Sequence, residues 1–379
     1  RCETFRLGDI CTFIDYRGKT PPKTSNGIPL VTAKIIKNSM IQEPQEFIAE
    51  NYYNEWMRRG IPQKGDVIFT TEAPLGEVAR IKTDDKLAFA QRIIVLEPNT
   101  QQLNAGYLFY ALQDIVLKNR IAARATGTTV IGIKAAELKK VEIDLPPLQQ
   151  QEKIADILSS LDDKIELNNK INENLEKQAE AIYQKCFGDV DIAKKQGILS
   201  DICTYSKEKV AVSKLEANTY FSTVNMLPGK SGAAEASTLP TAPQTTACHI
   251  GDTLVSNIRP YFKKIVYCYN ECGCSSDVLC FTPIHSKYAA YLYSTLYTDR
   301  FFDFMVSGSR GTKMPRGDKH QIMTYPVVLP SDTELDEFNS VVTPFLSLIH
   351  NNRNESRQLS LMRNTLLPKL MNGEFEVNG

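Results

Sequence analysis

The sequence predicts an α+β protein written twice. Two globular parts are separated by two long helices that pack on each other, related by a pseudo-two-fold internal repeat. Three observations predict this. The first is LPPLQQQEKIADILSSLDDKIELNNKINENLEKQAEAIYQKCF at 145–187, where Pro146 and Pro147 stop the chain and no further glycine or proline follows. At ~1.5 Å per residue such a helix is a rod of ~60 Å, longer than one compact domain needs. The second is a repeat. Leu7-Gly8-Asp9-Ile10-Cys11-Thr12-Phe13 is answered by Leu199-Ser200-Asp201-Ile202-Cys203-Thr204-Tyr205, and Gly65-Asp66-Val67-Ile68-Phe69 by Gly251-Asp252-Thr253-Leu254-Val255. Ala105-Gly106-Tyr107-Leu108-Phe109 matches Ala289-Ala290-Tyr291-Leu292-Tyr293, then Gly127-Thr128 matches Gly311-Thr312, and Leu145-Pro146 matches Leu329-Pro330. The offset is 192 at first, 186 at the second match and 184 thereafter, as early loop-length changes in a duplicated unit would leave it. The third is that the 184-residue offset carries the helix as well.

In chain order, 1–147 is the first globular part, with DVIFTT and QRIIVLEP as strands and YLFYALQDIVLKNR as an apolar-faced helix. The first long helix and central spacer is 148–187. The second globular part is 188–331, with DTLVSN and KKIVYCY as strands and YLYSTLYTDRFFDFMV as helix; 332–379 is the second long helix and its tail. Ile157, Leu161, Ile165, Asn168, Leu175 and Ile182 correspond to Val341, Phe345, Ile349, Asn352, Leu359 and Leu366. From Leu161 the spacing alternates four and three, a heptad seam that wants a second helix against it. Packing of one amphipathic helix on its own domain is the plainer alternative; matching registers in both copies favour helix on helix. An antiparallel pair about the repeat axis would set Asn168 opposite Asn352, a polar pair that fixes register. Pro344 is expected to kink the start of the second helix and Pro368 its end.

Composition bounds the function by exclusion. With 44 basic and 44 acidic residues the formal net charge is zero, so a polyanion would have to be met by local patches. No apolar run reaches the ~18 residues of a membrane span, and RCETFRLGDI has no signal-peptide core. The start at Arg1 is expected to be a trimmed end. Nine scattered cysteines in a chain of 379 residues point to reduced thiols and a cytoplasmic setting rather than a disulfide framework. There is no phosphate-binding G-x-x-x-x-G-K-[ST] loop, no G-x-G-x-x-G after a strand and no H-E-x-x-H pair. Neither Pro-Pro pair sits in the context of an amino-methyltransferase motif. Cys268, Cys272, Cys274 and Cys280 do not have zinc-site spacing, and their apolar surroundings suit a thiol acting as a small hydrophobe. Neither a catalytic residue nor a metal site is expected.

Basic residues gather in loops instead. SRGTKMPRGDKHQI at 309–322 offers Arg310, Thr312, Lys313, Arg316 and Lys319; its counterpart ATGTTVIGIKAAELKK offers Thr128, Thr129 and Lys134. DYRGKTPPKTSNG carries Arg17, Lys19 and Lys23. After the paired Gly-Asp strands come Thr70 and Thr71 in one copy, and Asn257, Arg259, Lys263 and Lys264 in the other. Lysine and arginine neutralise phosphates, while Arg, Asn and Thr can read base edges. Each loop alone reads more readily as an ordinary solvated surface. Recurrence at equivalent points of both copies, with different residues, is what two readers of different DNA sequences would show.

These residues resemble the specificity subunit of type I restriction-modification systems over essentially the whole chain. LPPLQQQEKIADILSSLDDKI is similar to the family's segment after its first target-recognition domain, and NTLLPKLMNGEFEV to its C-terminal region. RLGDICTFIDYRGKTPP and SRGTKMPRGDKHQI look like openings and loops of its recognition domains. QQQEK departs from the commoner acidic-Glu-Gln sequence, and LPSDTELDEF is looser than LPPLQQQEKI. The resemblance implies two target-recognition domains held apart by two long conserved helices packed as an antiparallel coiled coil, each domain reading half of a bipartite site in double-stranded DNA. It implies a non-catalytic subunit without a cofactor of its own. Its partners would be two methyltransferase subunits using S-adenosylmethionine and two restriction subunits using ATP and Mg. A coiled-coil adaptor that binds proteins and not DNA is the alternative that composition leaves open.

Overall fold

The computed structural model describes residues 2–16, 18, 20–188 and 196–374. The chain forms two compact units, Arg1–Glu166 with Ser356–Gly379, and Leu167–Glu355. Each unit thus takes one globular part and a portion of both long helices.

In the first unit the central sheet is antiparallel, in the order Cys11–Asp15, Ile93–Pro98, Val67–Thr71, Leu75–Arg80. Both faces of its middle strands are covered, which is why DVIFTT and QRIIVLEP read as nearly unbroken apolar runs. Val67, Phe69, Ile94 and Leu96 pack on the side of the helices Ala105–Ala111 and Ile115–Ala122. Ile68, Ile93 and Val95 pack on the side of a smaller sheet made by Phe47–Ile48, Ile28–Val31 and Ala88–Phe89. Strands Glu3–Arg6 and Glu142–Leu145 pair antiparallel, so the start and end of the globular part lie side by side. Pro146 and Pro147 then end strand pairing, and the first long helix begins.

The second unit repeats this topology. Its central sheet runs Cys203–Tyr205, Val278–Pro283, Thr253–Ser256, Ile265–Tyr267, again all antiparallel. Helices Ala289–Tyr297 and Asp299–Ser307 cover it, and Gln196–Ile198 pairs with Pro326–Val328 at the entrance and exit. The Gly-Asp repeats are one turn built twice. Gly65 (φ +101°) and Gly251 (φ +91°) adopt left-handed conformations, and the next residue's carboxylate accepts a backbone N–H. Asp66 Oδ2 takes that of Gln63 at 2.7 Å, and Asp252 Oδ2 that of His249 at 2.8 Å. Burial pushes both carboxyls above the usual range, against those hydrogen bonds. The units differ in the second sheet, which here has four strands, Lys209–Ala211, Gln244–Cys248, Cys272–Cys274 and Tyr220–Phe221. Beside it Cys248, Cys268, Cys272, Cys274 and Cys280 form a buried core with Met226, Leu254 and Val278. Every cysteine is a free thiol.

The long helices are Leu148–Tyr183 and Asp332–Met371. Within the first unit Ile154, Leu158 and Leu370 enter the same core as Leu7 and Tyr107, with Ile157 and Leu366 at its edge. Asp162 joins the two helices there, accepting from Arg363 Nη1 at 2.6 Å and from the Tyr110 hydroxyl at 2.7 Å. Burial, then the charge of Asp162, raises the Tyr110 phenol well above its usual range. Asp162→Ala strands a half-buried guanidinium and a phenol, and should lower the denaturation midpoint by an amount worth about 2 kcal/mol, allowing for partial exposure. A chemical-denaturation curve measures it.

Within the second unit the helices also run antiparallel. Asn168 Nδ2 donates to Glu355 Oε2 (2.8 Å) and to the Asn352 carbonyl (3.4 Å), and Asn352 Nδ2 donates to Asn172 Oδ1 (2.9 Å). Further along, Arg353 pairs with Glu176 at 2.7 Å, and Tyr183 meets Phe338 edge-on. Leu175, Ile349 and Asn352 are buried and Ile182 and Phe345 pack on the core, while Leu161, Ile165 and Leu359 are half-buried. Val341 is a correction: it is 40% exposed, and Val342 is buried in its place. The 184-residue offset mapped Val341 from Ile157, which itself lies beside the buried pair Ile154 and Leu158. The second helix runs unbroken through Pro344 and Pro368 and ends at Met371. A helix proline removes one donor, and Pro344 lies on the exposed face, where water can satisfy the freed carbonyl.

Candidate nucleic-acid interface

In each unit the last residues of the central strand are stitched to a short loop that follows the second covering helix. In the first unit Thr126 and Gly132 exchange backbone hydrogen bonds (2.8 and 3.0 Å), closing the loop over Gly127–Ile131. The Ile133 N–H donates to the Thr71 carbonyl at 3.0 Å, and Gly132 bridges Glu72, so the loop is moored to the strand end. Gly127 has φ +132°, and a Cβ there would lie 2.0 Å from the Val130 carbonyl oxygen, so only glycine closes this turn.

The second unit builds the same device from other residues. Arg310 and Arg316 exchange backbone hydrogen bonds, both 2.9 Å, around Gly311–Pro315. Ile258 bridges Arg316, the Gly317 N–H donates to the Asn257 carbonyl (3.3 Å), and the Arg259 N–H to the Pro315 carbonyl (2.8 Å). Arg259 Nη2 adds a bond to the Lys313 carbonyl at 3.2 Å. The strand-end loops correspond too: Ala73-Pro74 and Arg259-Pro260 both follow the central strand, and Ala73 (φ +48°) and Arg259 (φ +51°) share the left-handed conformation. Asp318 caps the helix Lys319–Met323 behind the loop, and the N–H groups of Gln321 and His320 hold its carboxyl below the usual range.

Several expected residues sit on these loops and face solvent. Thr128, Thr129 and Lys134 are exposed in the first unit; Arg259, Arg310, Thr312, Lys313, Arg316 and Lys319 are exposed in the second. Arg316 is paired to Asp277 at 3.1 Å and Arg310 to Asp318 at 3.4 Å, both with the guanidinium largely in water. Lys23 is exposed and tied to Glu46 at 2.7 Å. Arg17 and Lys19 lie outside the described residues.

Five expectations are corrected. Thr70 and Thr71 are buried in the strand, and Thr70 Oγ1 donates to the Pro74 carbonyl (2.7 Å) while accepting from Glu77 N–H (2.9 Å). Its hydroxyl holds the turn between strands. Asn257 is buried as well, its Oδ1 2.8 Å from where a Cβ at Gly317 would sit. Lys263 is ion-paired with Asp299 (2.9 Å), and Lys264 Nζ donates to the Thr223 carbonyl (2.6 Å), its ammonium pushed down by burial. Both ammonium groups are engaged within the unit, Lys263 on a carboxylate that it shares with Lys230.

Two residues beside this loop carry no signal of their own in the sequence. Tyr261 and Phe262 are 49% and 39% exposed, with ring centroids 4.7 Å apart, on a one-turn helix between the left-handed residues Arg259 and Lys263. The sign that could have found them is the Arg-Pro that answers Ala-Pro, which marks the next positions as a presented turn. Among the described residues no group of His, Cys, Asp or Glu is arranged to hold a metal, and no helix is long and apolar enough to cross a membrane.

Comparison with known proteins bears on this arrangement. Residues 1–177 match the family model described as the type I restriction modification DNA specificity domain. The type I restriction enzyme MjaIX specificity subunit of Methanocaldococcus jannaschii is 24% identical over 92% of this chain and 87% of its own. The HindI specificity subunit of Haemophilus influenzae is 28% identical over 41% of this chain and 36% of its own. Among solved structures, the type I restriction-modification S subunit from M. genitalium superposes with a TM-score of 0.66 at 15% identity, covering 98% of this chain and 96% of its own. That likeness is one of fold.

Proposed function

We propose that this chain, which belongs to the family of type I restriction-modification specificity subunits, reads a bipartite DNA target, one half with each globular part. The subunit is a recognition chain and not an enzyme. The observation that carries the reading is the moored loop built twice. The backbone device is the same in both units, while the exposed residues are Thr128, Thr129 and Lys134 in one, and Arg310, Thr312, Lys313 and Arg316 in the other. A shared scaffold with different side chains is the expected form of two readers with different half-sites.

The long helices would set the number of non-specific base pairs between half-sites, because the 36 residues of the first helix amount to a rod of ~54 Å. Half-sites would then lie about one to one-and-a-half turns of DNA apart. The outer faces of the helices would dock two methyltransferase subunits, which bring S-adenosylmethionine, and two restriction subunits would bring ATP and Mg. The complex would work in a prokaryotic cytoplasm.

Sequencing methylated adenines in a host carrying the system tests this. The expected result is a motif of two defined parts with a fixed spacer, absent when this chain is deleted. Removing one turn from both helices should shorten the spacer and leave the half-site bases unchanged. A continuous motif, or unchanged spacing in the shortened variant, overturns the corresponding part of the reading.

A further inference from the structure

The loop that recurs in both units presents an apolar residue at its tip, and the assigned roles of its polar neighbours do not account for it. Val130 is 48% exposed and its counterpart Met314, 184 residues on, is 51% exposed; Ile131 beside Val130 is 59% exposed. A single exposed apolar side chain is normal on a protein surface and carries no inference. Here the same position is apolar and exposed in both copies, although the flanking residues have diverged from Thr129 to Lys313 and from Gly132 to Arg316. Each loop is fixed at its base. Reciprocal backbone hydrogen bonds close each base, and the bonds to Thr71 and Asn257 moor it to the sheet. A loop closed and moored at its base that holds a large apolar group in water is partly pre-organised to bury it against a partner.

The neighbours indicate which partner. Around Met314 the exposed groups are the cations of Arg310, Lys313 and Arg316, with Tyr261 and Phe262 on the adjoining turn; around Val130 they are Thr128, Thr129 and Lys134. An apolar point ringed by cations and hydroxyls suits a surface that sets phosphates beside apolar groups, as DNA does with its thymine methyls and base faces.

The geometry points to Val130 and Met314 as paired apolar reading tips that enter the DNA and pack on base edges, one in each half-site, while the surrounding cations hold the phosphates. This rests on the DNA-reading function proposed above. The chemistry available is contact with a thymine methyl group or insertion at a base step.

The test uses the full chain assembled with its methyltransferase partner. The probes are duplexes carrying the methylated motif, and the same duplexes with one half-site scrambled. Met314→Ala should weaken binding to the intact motif about tenfold, the worth of half-burying such a side chain. The slope of log affinity against log salt should stay unchanged. Scrambling the second half-site should abolish the difference between variant and wild type, and scrambling the first should not. Val130→Ala should behave in the mirror sense, and Met314→Leu should restore most of the affinity. Replacing each thymine of the half-site by uracil in turn separates the two modes: one sensitive position identifies a methyl contact, and none identifies step insertion. Both tips are on the surface, so an unchanged thermal midpoint is expected and shows that folding is intact. Variants that bind like wild type, or that weaken equally on scrambled DNA, overturn the inference. Wild-type complex that fails to prefer its motif overturns the DNA-reading function itself.

Discussion

Asn352→Ala should destabilise the second unit by about 1–3 kcal/mol, more than the missing packing alone would cost, because it strands a buried partner. Asn352 Nδ2 donates to Asn172 Oδ1 at 2.9 Å, and both residues are buried in the seam between the long helices. Removing the donor leaves an amide oxygen with no water to replace it. The companion experiment has the opposite sign. Leucine at Asn168, Asn172 and Asn352 together removes the Asn352–Asn172 donor and acceptor at once and leaves only the exposed Glu355 carboxylate to water, so stability should be equal or raised. The cost of that variant should appear as a loosened register, since apolar residues in a heptad seam tolerate sliding that a polar pair forbids. Denaturation midpoints check the first statement, and methylation at more than one spacer length checks the second. A triple variant with one spacer and a single alanine variant of normal stability would show that the asparagines do not set register.

Much of this seam was legible because its signal is local. Apolar residues at alternating steps of three and four need only the chain's own periodicity to be seen, and duplication checks one copy against the other. Val341 shows where that check ends: offset fixes correspondence between copies, and Ile157 packs only at the edge of its core. Asn172 lies on the same spacing as Asn168, but its partner is visible only once the antiparallel register is known.

The interface was less legible for a physical reason that differs residue by residue. Thr70 reads as a polar loop residue, but a hydroxyl can be both donor and acceptor, and here it closes its own turn. Lys263 and Lys264 read as free charge, yet Asp299 and the Thr223 carbonyl that engage them lie more than thirty residues away in sequence. Arg259 keeps its exposure because its left-handed backbone turns the chain outward, a property that an arginine does not announce. Glycines announce more. Gly127 and Gly311 mark the tight loop in both copies, and both have the positive φ that the loop requires.

Alanine at Arg310, Lys313 and Arg316 together should reduce the slope of log affinity against log salt by up to about 2.7, at about 0.9 for each phosphate left without its cation. The three cations belong to one moored loop, and their present partners are weak competitors for phosphate. Arg310 reaches Asp318 only at 3.4 Å, and Arg316 meets Asp277 at 3.1 Å with its guanidinium more than half in water. Lys313 has no ion-pair partner among the described residues and only its carbonyl is engaged, by Arg259. Exposed pairs of this kind are worth at most about 1 kcal/mol, so DNA phosphate can displace the carboxylates at little cost. Asp277→Ala should therefore strengthen binding to any sequence, with the largest effect at low salt. Single substitutions then sort the three residues by role. Removing a cation that sits on phosphate weakens binding to motif and scrambled DNA alike and lowers the slope, whereas removing one that reads guanine costs about 1–3 kcal/mol on the motif alone. Filter-retention or fluorescence titrations of the assembled complex between low and physiological salt measure both quantities. A triple variant with the wild-type slope and affinity would remove the 310–316 loop from the interface.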